Sequence, residues 1–436
     1  MAHVPVDLVE VRAFGATVGA VAPDPQSGAY VFEYAPAWRR TGIELSPLHM
    51  SSGQAFHSFP GLNRNTFQGL PPLLADCLPD RFGNALVDAW MARQGIPAGT
   101  ITTLDRLAYT GTRGMGALTF HPPTGPVGEE PTAVALADLV ESARRALRGE
   151  FGADDDTSDA LADLIGVGTS AGGARPKAVI AYNPDTGQIR TGQFDAPTGF
   201  GHWLCKFDGV DATNAGHTPA LGDGLPFGRI EYAYHLMAGE AGIDMTECHL
   251  LTEHDRAHFL TRRFDRTDGG DRLHLLTLCG MAHLDFNQPR VHDYAQYLDV
   301  IHILRLGPTA LVQAFRRIVF NVAAVNCDDH TKNLSFLMDP DGTWSLSPAY
   351  DMTYAYNPSG DWANAHQMSV QGKFSAITQS DLANLADQFA VPSPGDIIER
   401  VSDAVADWAG FADEAGVPGD LTDEIARAHR TLGIAR

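Results

Sequence analysis

Residues 326–336, "NCDDHTKNLSF", set two aspartates, a histidine, a lysine and an asparagine directly before an apolar run. Charged and amide side chains beside a core are costly unless something pairs with them, so the cluster asks for a ligand or a dense hydrogen-bond network. Within it, Asp328 and Asn333 stand five positions apart, the separation of the base and the metal-binding amide in a protein-kinase catalytic loop. A carboxylate so placed orients a hydroxyl and accepts its proton. An amide oxygen five residues on ligates magnesium without adding charge. The pattern D-x-x-x-x-N also arises by chance, and a polar loop closing a helix reads the same way.

Working outward, the other parts of a phosphoryl-transfer site can be sought one by one. Downstream, "TWSLSPAYDMTYAY" places Asp351 at the end of a short apolar run, 23 residues after Asp328. The intervening "FLMDPDGTWSLSP" reads as a hairpin with a D-P-D-G turn. Lys332 can neutralise phosphate charge, while His330 either assists the loop or hydrogen-bonds it. Upstream, "GVGTSAGGARPK" offers Gly166, Gly168, Ala171, Gly172 and Gly173, small residues whose amides can surround phosphates. It is neither a Walker loop nor a strict G-x-G-x-x-G. Lys206 lies on the strand-like "HWLCKFDG" and Glu231 opens the helix-like run after it. A strand lysine paired with a helix glutamate holds the nucleotide phosphates in kinases, although a surface salt bridge is the plain alternative and Glu240 a competing partner.

The whole chain fits such an enzyme. Its 436 residues allow two or three domains, and 44% hydrophobic with 19% charged residues is an ordinary globular composition. A formal charge of -22 argues against broad, charge-driven nucleic-acid binding. The start "MAHVPVDLVEVRAFG" lacks the basic region of a signal peptide, and no apolar run approaches a membrane span. The expectation is a cytoplasmic protein with no membrane contact. Five cysteines without a C-x-x-C pair suggest neither a disulfide framework nor a zinc site; they are expected to be reduced and mostly buried. Asp154 to Asp156 read as a solvated loop or helix cap.

Along the chain, "LVEVRAFG", "TVGAVAP" and "AYVFEYA" read as a small β-meander, followed by helical spacing from Phe82 to Met91 and a second helix over 133–148. Next come the strands "KAVIAY", "IRTGQF" and "HWLCKFDG", the helix "IEYAYHLMAGEAG" and the extended "HFLTRRFDR". Beyond about Asp271 the sequence reads as almost entirely helical, except for an insert from Leu334 to Asp351. The expected class is therefore α+β and protein-kinase-like, with a β-rich N-terminal subdomain (1–125), an N-lobe with its phosphate loop and hinge (126–265), and a mostly α-helical C-lobe (266–436).

In this order, "TSAGGARPK", "HWLCKFD", "EYAYHLMAGEAGI", "RRFDR", "DDHTKN" and "LSPAYD" closely resemble the HipA family of serine/threonine kinases, toxins of bacterial toxin-antitoxin modules linked to persistence. The early "FPGLNRNTFQGLPPLLADCLPDRFGN" resembles that family's N-terminal subdomain, so the resemblance covers nearly the whole chain. It implies ATP and magnesium as cofactors, Asp328 as catalytic base, and Asn333 and Asp351 as magnesium ligands; Lys332 and His330 stand beside that base in the sequence. It further implies Lys206 on the ATP phosphates, a hinge from Arg262 to Phe264 meeting adenine with Asp265 close by, and Lys177 ending the phosphate loop that contains Ala171, Gly172 and Gly173. Ser170, seven positions before that lysine, matches a serine that the family phosphorylates on itself; added charge in a phosphate-binding loop should repel the nucleotide. Asn326 stands where eukaryotic kinases have the histidine of H-R-D, and Pro348-Ala349-Tyr350-Asp351 where they have D-F-G, as in the HipA pattern. Also implied are a protein substrate, such as an aminoacyl-tRNA synthetase, growth arrest, and a DNA-binding HipB-like antitoxin. Two other readings compete. A small-molecule kinase would not need a serine poised for self-modification, and a non-catalytic nucleotide-binding protein would not need Lys206, Asp328, Asn333 and Asp351 together.

Overall fold

The computed structural model describes residues 3–125, 138–143, 176–192, 196–208, 226–253, 256–267 and 269–432. The glycine-rich stretch with Ser170, Ala171, Gly172 and Gly173 lies outside them, as do Asp154–Asp156. Of the helix expected over 133–148, residues 138–143 are described and are helical. The chain divides into two compact units: Met1–Ala212 with Arg262–Asp285 and Leu337–Thr343, and Thr213–Thr261 with Phe286–Phe336 and Trp344–Arg436.

In the first unit, β1 (Val9–Ala13), β2 (Ala16–Pro23) and β3 (Tyr30–Tyr34) form the expected antiparallel meander. β4 (Phe56–His57) and β5 (Thr119–His121) complete a sheet of order β4-β3-β2-β1-β5. Alternation decides which face is inside: Val9, Val11 and Ala13 point inward while Arg12 is exposed. A second antiparallel group has β6 (Lys177–Asn183) between β7 (Gln188–Thr191) and β8 (Gly201–Lys206). Its central strand is the near-continuous apolar run KAVIAYN, buried through Tyr182, as expected of a strand covered on both faces.

One polar cluster organises this unit. Asp265 is fully buried and accepts hydrogen bonds from Arg263 (2.7 and 2.9 Å), Arg266 (2.7 Å) and the backbone N–H of Gly116 (2.6 Å). Burial opposes its charge, but the two guanidiniums hold the carboxyl well below the ordinary range. Asp265→Ala leaves two buried cations without their shared anion. We expect it to destabilise the protein by about 3–5 kcal/mol, read as a lower urea midpoint.

The second unit is mainly helical. The helices Phe227–Glu240, Tyr294–Ile303, Gly307–Ala323, Gln379–Gln388, Pro394–Ala406, Trp408–Ala415 and Gly419–Ala428 surround a core that includes Tyr234, Phe315 and Phe320. β9 (Cys248–Glu253) and β10 (Arg256–Arg262) pair antiparallel over Arg256–Thr261. The Phe227 helix lies so close to this hairpin that a Cβ on Gly228 would fall 1.9 Å from the carbonyl oxygen of Ala257, so only glycine fits. Among the described residues no helix is long and apolar enough to cross a membrane.

Two departures from the sequence reading stand out. The helical stretch after Ser393 breaks at Asp407, where the turn lets the buried Trp408 donate its indole N–H to the carbonyl of Thr422 (3.0 Å). More important, residues 352–378 are not helical. They form an irregular segment whose one short strand, Met368–Ser369, pairs in parallel with His292–Asp293. Its "NPSGDWANAH" run is rich in turn formers that favour loops over helix.

Candidate active site

The helix Gly307–Ala323 leads into the polar stretch 326–333. Past its cap at Ala324, Val325 adopts a left-handed conformation (φ 49°), and the N–H of Asn326 turns back to the carbonyl of Asn321 (3.0 Å). This is a Schellman ending with valine where glycine is usual. A buried β-branched residue held there stores on the order of 1–3 kcal/mol of strain, tolerated because the chain on both sides is fixed. Cys327 then donates its N–H to the carbonyl of Ala355 (3.1 Å), tying the loop to the irregular segment.

The two adjacent aspartates behave oppositely. Asp329 is 2% exposed and accepts three hydrogen bonds, from the Tyr294 hydroxyl (2.7 Å), His366 Nδ1 (2.8 Å) and the Gln367 N–H (2.7 Å). Tyr294 accepts in turn from Asn321 Nδ2 (2.9 Å), and Asn321 Oδ1 from Asn326 Nδ2 (3.0 Å). Burial opposes protonation of His366, but the adjacent Asp329 carboxylate overrides it and raises the pKa to about 10. Asp329 and His366 are therefore a buried ion pair at neutral pH. Asp328, by contrast, has a side chain 45% exposed. Its Oδ1 accepts the indole N–H of Trp362 (2.6 Å) and lies 3.8 Å from His330 Nε2.

Asn333 donates from Nδ2 to the Asp328 carbonyl (2.8 Å), which closes the loop and leaves Oδ1 without a partner among the described residues. Lys332 extends over the Phe286 ring, with Nζ 4.9 Å from its centroid, and His330 packs against the same ring. The D-P-D-G turn forms as expected, with Asp339 and Thr343 bonded (3.1 Å) and Gly342 left-handed. It returns the chain so that Tyr350 donates its hydroxyl to the Lys332 carbonyl (2.7 Å) and accepts from Ser335 (2.7 Å). Asp351 follows in a left-handed conformation (φ 55°), a strain common where a side chain must be aimed. The loop thus gathers Asp328, His330, Lys332 and Asn333, and Tyr350 ties the approach to Asp351 to it.

The remaining residues singled out from the sequence are described within their own units. In the first unit, the β6–β8 register puts Lys177 directly opposite Lys206. Two cations across one strand pair repel unless anions lie near. Asp80 supplies one: its Oδ1 caps the helix Arg81–Arg93 through the Gly83 N–H (2.7 Å), and its Oδ2 lies 3.7 Å from Lys177 Nζ. Arg262 ends β10 and Phe264 follows it, while the Asp265 carboxylate is committed to Arg263, Arg266 and Gly116. Glu231 belongs to the second unit, buried in the Phe227 helix. Sequence reasoning missed Tyr294, Asn321, Asp329, Trp362, His366 and Gln367.

Magnesium prefers oxygen ligands and, in phosphoryl-transfer sites, takes one or two from the protein and the rest from phosphates and water. The open Asn333 Oδ1 and the Asp351 carboxylate are donors of that kind. Among the described residues there is no cluster of three or more His, Cys, Asp or Glu side chains suited to an all-protein metal cage.

Comparison with known proteins gives the lineage. Residues 169–409 match the HipA-like C-terminal domain, and residues 9–121 match the HipA N-terminal domain. Among solved structures, the chain is similar to HipA of Shewanella oneidensis MR-1, described in a complex of HipA, HipB and its operator DNA. The identity is 17%, with a TM-score of 0.64 over 96% of this chain and 94% of that one. A similarity to the proinflammatory kinase CtkA of Helicobacter pylori has 12% identity and a TM-score of 0.35, covering 59% of this chain and 92% of that one. A search of curated protein sequences finds no match. The first structural likeness shows the α+β, kinase-like fold, and the C-terminal match alone spans more than half of the sequence. The chain belongs to the HipA family.

Proposed function

We propose that the protein is a magnesium- and ATP-dependent serine/threonine protein kinase of the HipA toxin type. The observation that carries this reading is the division of labour in Asp328-Asp329: one carboxylate is buried with three donors, while the other is half exposed beside the open amide oxygen of Asn333. In the reaction, Asp328 accepts the proton of a substrate hydroxyl as that oxygen bonds to the γ-phosphorus and the bond from phosphorus to ADP breaks. Magnesium, when bound, neutralises phosphate charge, and Asn333 and Asp351 are the residues we assign to hold it. We assign Lys206, Glu231 and Lys177 to the nucleotide phosphates, Lys332 adds positive charge at the proposed catalytic loop, and His330 packs beside the base. Arg262 and Phe264 belong to the segment assigned to adenine, which Asp265 braces from within.

We further assign Ser170 as a site of inhibitory self-phosphorylation in a phosphate loop that includes Ala171, Gly172 and Gly173. The domain division we propose is 1–125, 126–265 and 266–436. The acceptor is a hydroxyl on a protein, of which translation components such as aminoacyl-tRNA synthetases are the class the family implies, and its modification would arrest growth. A HipB-like antitoxin is the proposed partner. With a net charge of -22, we assign the main DNA contact to that partner and expect no strong direct nucleic-acid binding by this chain.

The test is intact-mass and peptide mass spectrometry after incubation with magnesium-ATP, on the wild type, Asp328→Asn and Ser170→Ala. We expect one phosphate at Ser170 that requires Asp328. Equal labelling of Asp328→Asn would remove Asp328 from the chemistry, and ATP turnover without any phosphoprotein would point to a small-molecule acceptor.

A further inference from the structure

The chemistry proposed above leaves one contact unused. The indole N–H of Trp362 meets Asp328 Oδ1 at 2.6 Å, from a residue 34 positions away in the chain. A neutral donor on a carboxylate at that distance is a strong, charge-assisted hydrogen bond. It acts on a side chain that would otherwise turn easily, because the terminal torsion of aspartate is broad and roughly two-fold and this side chain is 45% exposed. His330 Nε2 lies 3.8 Å from the same oxygen. Among the described residues, Oδ2 has no hydrogen-bond partner.

The segment that carries Trp362 is itself held firmly. Asn357 N–H bonds the Ala363 carbonyl (2.9 Å), and Asn357 Oδ1 accepts from the Ser359 N–H (3.0 Å). Arg290 reaches across to Asn364 Oδ1 (2.7 Å) and the Asp361 carbonyl (3.3 Å). The Trp362 carbonyl accepts from Gln367 Nε2 (2.7 Å), and the Gln367 backbone N–H bonds Asp329 (2.7 Å). One stretch, 362–367, therefore fixes both aspartates: Asp329 through His366 and Gln367, and Asp328 through Trp362. The Trp362 ring also meets the His330 ring edge-on, with centroids 6.3 Å apart, which sets the direction of its N–H.

We propose that Trp362 is a positioning residue for the base. By pinning Oδ1 it presents Oδ2 to the substrate hydroxyl, so that Oδ2 is the atom that takes the proton. This rests on the reading of Asp328 as the base. The bond acts on the orientation of a group already in place, so its loss should appear in the rate of transfer and not in nucleotide binding.

Trp362→Phe keeps a ring against His330 but removes the donor. We expect the maximal rate of phosphate incorporation from magnesium-ATP to fall about tenfold to a hundredfold, with the ATP dependence shifted by no more than about twofold. A structural readout runs alongside. The chain has six tryptophans, so indole-15N labelling gives six N–H resonances, of which the one absent in Trp362→Phe belongs to Trp362. That resonance should move upfield in Asp328→Asn while the other five stay in place, which also shows that both variants fold. Trp362→Phe transferring phosphate at the wild-type rate, or a Trp362 resonance unmoved in Asp328→Asn, would overturn the inference. Failure of the underlying reading is separate, since Asp328→Asn would then transfer phosphate as well as the wild type does.

Discussion

Asp328→Asn should lower the rate of phosphoryl transfer by about 10²–10⁴-fold, the usual worth of a positioned general base, while magnesium-ATP binding stays within a few-fold. The substitution is nearly isosteric. Asn333 bonds the backbone carbonyl of residue 328 and not its side chain, so the loop keeps its closure. The side-chain oxygen can still accept the Trp362 N–H. What disappears is the capacity to take a proton, and with it the negative charge that draws the hydroxyl into line. Single-turnover labelling with radioactive ATP measures the rate, and equilibrium titration of the same variant measures the affinity. A rate within about threefold of wild type would show that the hydroxyl loses its proton elsewhere; a large loss of ATP affinity would move Asp328 from chemistry to binding.

The elements around this site were legible to different degrees, for physical reasons. Strands with one buried face announce themselves by alternation, as VEVRA does, and a strand covered on both faces by an apolar run, as KAVIAYN does. The loop we propose as catalytic could be singled out from the sequence because its polar residues are local: Asp328, His330, Lys332 and Asn333 lie within six residues. The frame that holds them could not. Tyr294, Trp362 and His366 reach the aspartate pair from 34–37 positions away, and neither Trp362 nor His366 lies in a periodic pattern. The end of the preceding helix was hidden too, since the left-handed position is filled by Val325 and not by the glycine that would mark it. One signal was present and unread. Two consecutive aspartates at the exit of a buried helix cannot both face solvent in the same way, so one of them needed internal donors.

The first unit shows the complementary limit. Lys206 and Lys177 could be placed on strands from the sequence, but their facing register depends on how β6 and β8 pair, which no local pattern specifies. Asp265 was read as lying beside a hinge. Its environment of two arginines and a backbone N–H makes it a brace for that segment, a role that only the fold brings to view.

The largest expected loss of stability in the second unit comes from Asp329→Ala, at about 3–5 kcal/mol. The change removes the partner that keeps the buried His366 charged and leaves the Tyr294 hydroxyl and the Gln367 N–H without their acceptor. The pair also makes stability depend on pH in a predictable direction. Because the folded-state pKa of His366 is raised to about 10 from an ordinary 6.5, its contribution is complete below about pH 6.5 and is lost as pH rises through about 10. Urea unfolding of the wild type across that interval should therefore show falling midpoints. In Asp329→Ala, where the neighbour that raised the pKa is gone, this slope should flatten. A wild-type midpoint that holds constant or rises over the same range would mean that His366 is neutral in the folded protein. The consequence reaches function through the chain itself. His366 and Gln367 sit in the same tethered stretch as Trp362, so a variant that loosens Asp329 should also slow transfer at Asp328, and its loss of stability relative to the wild type should shrink as the pH is raised.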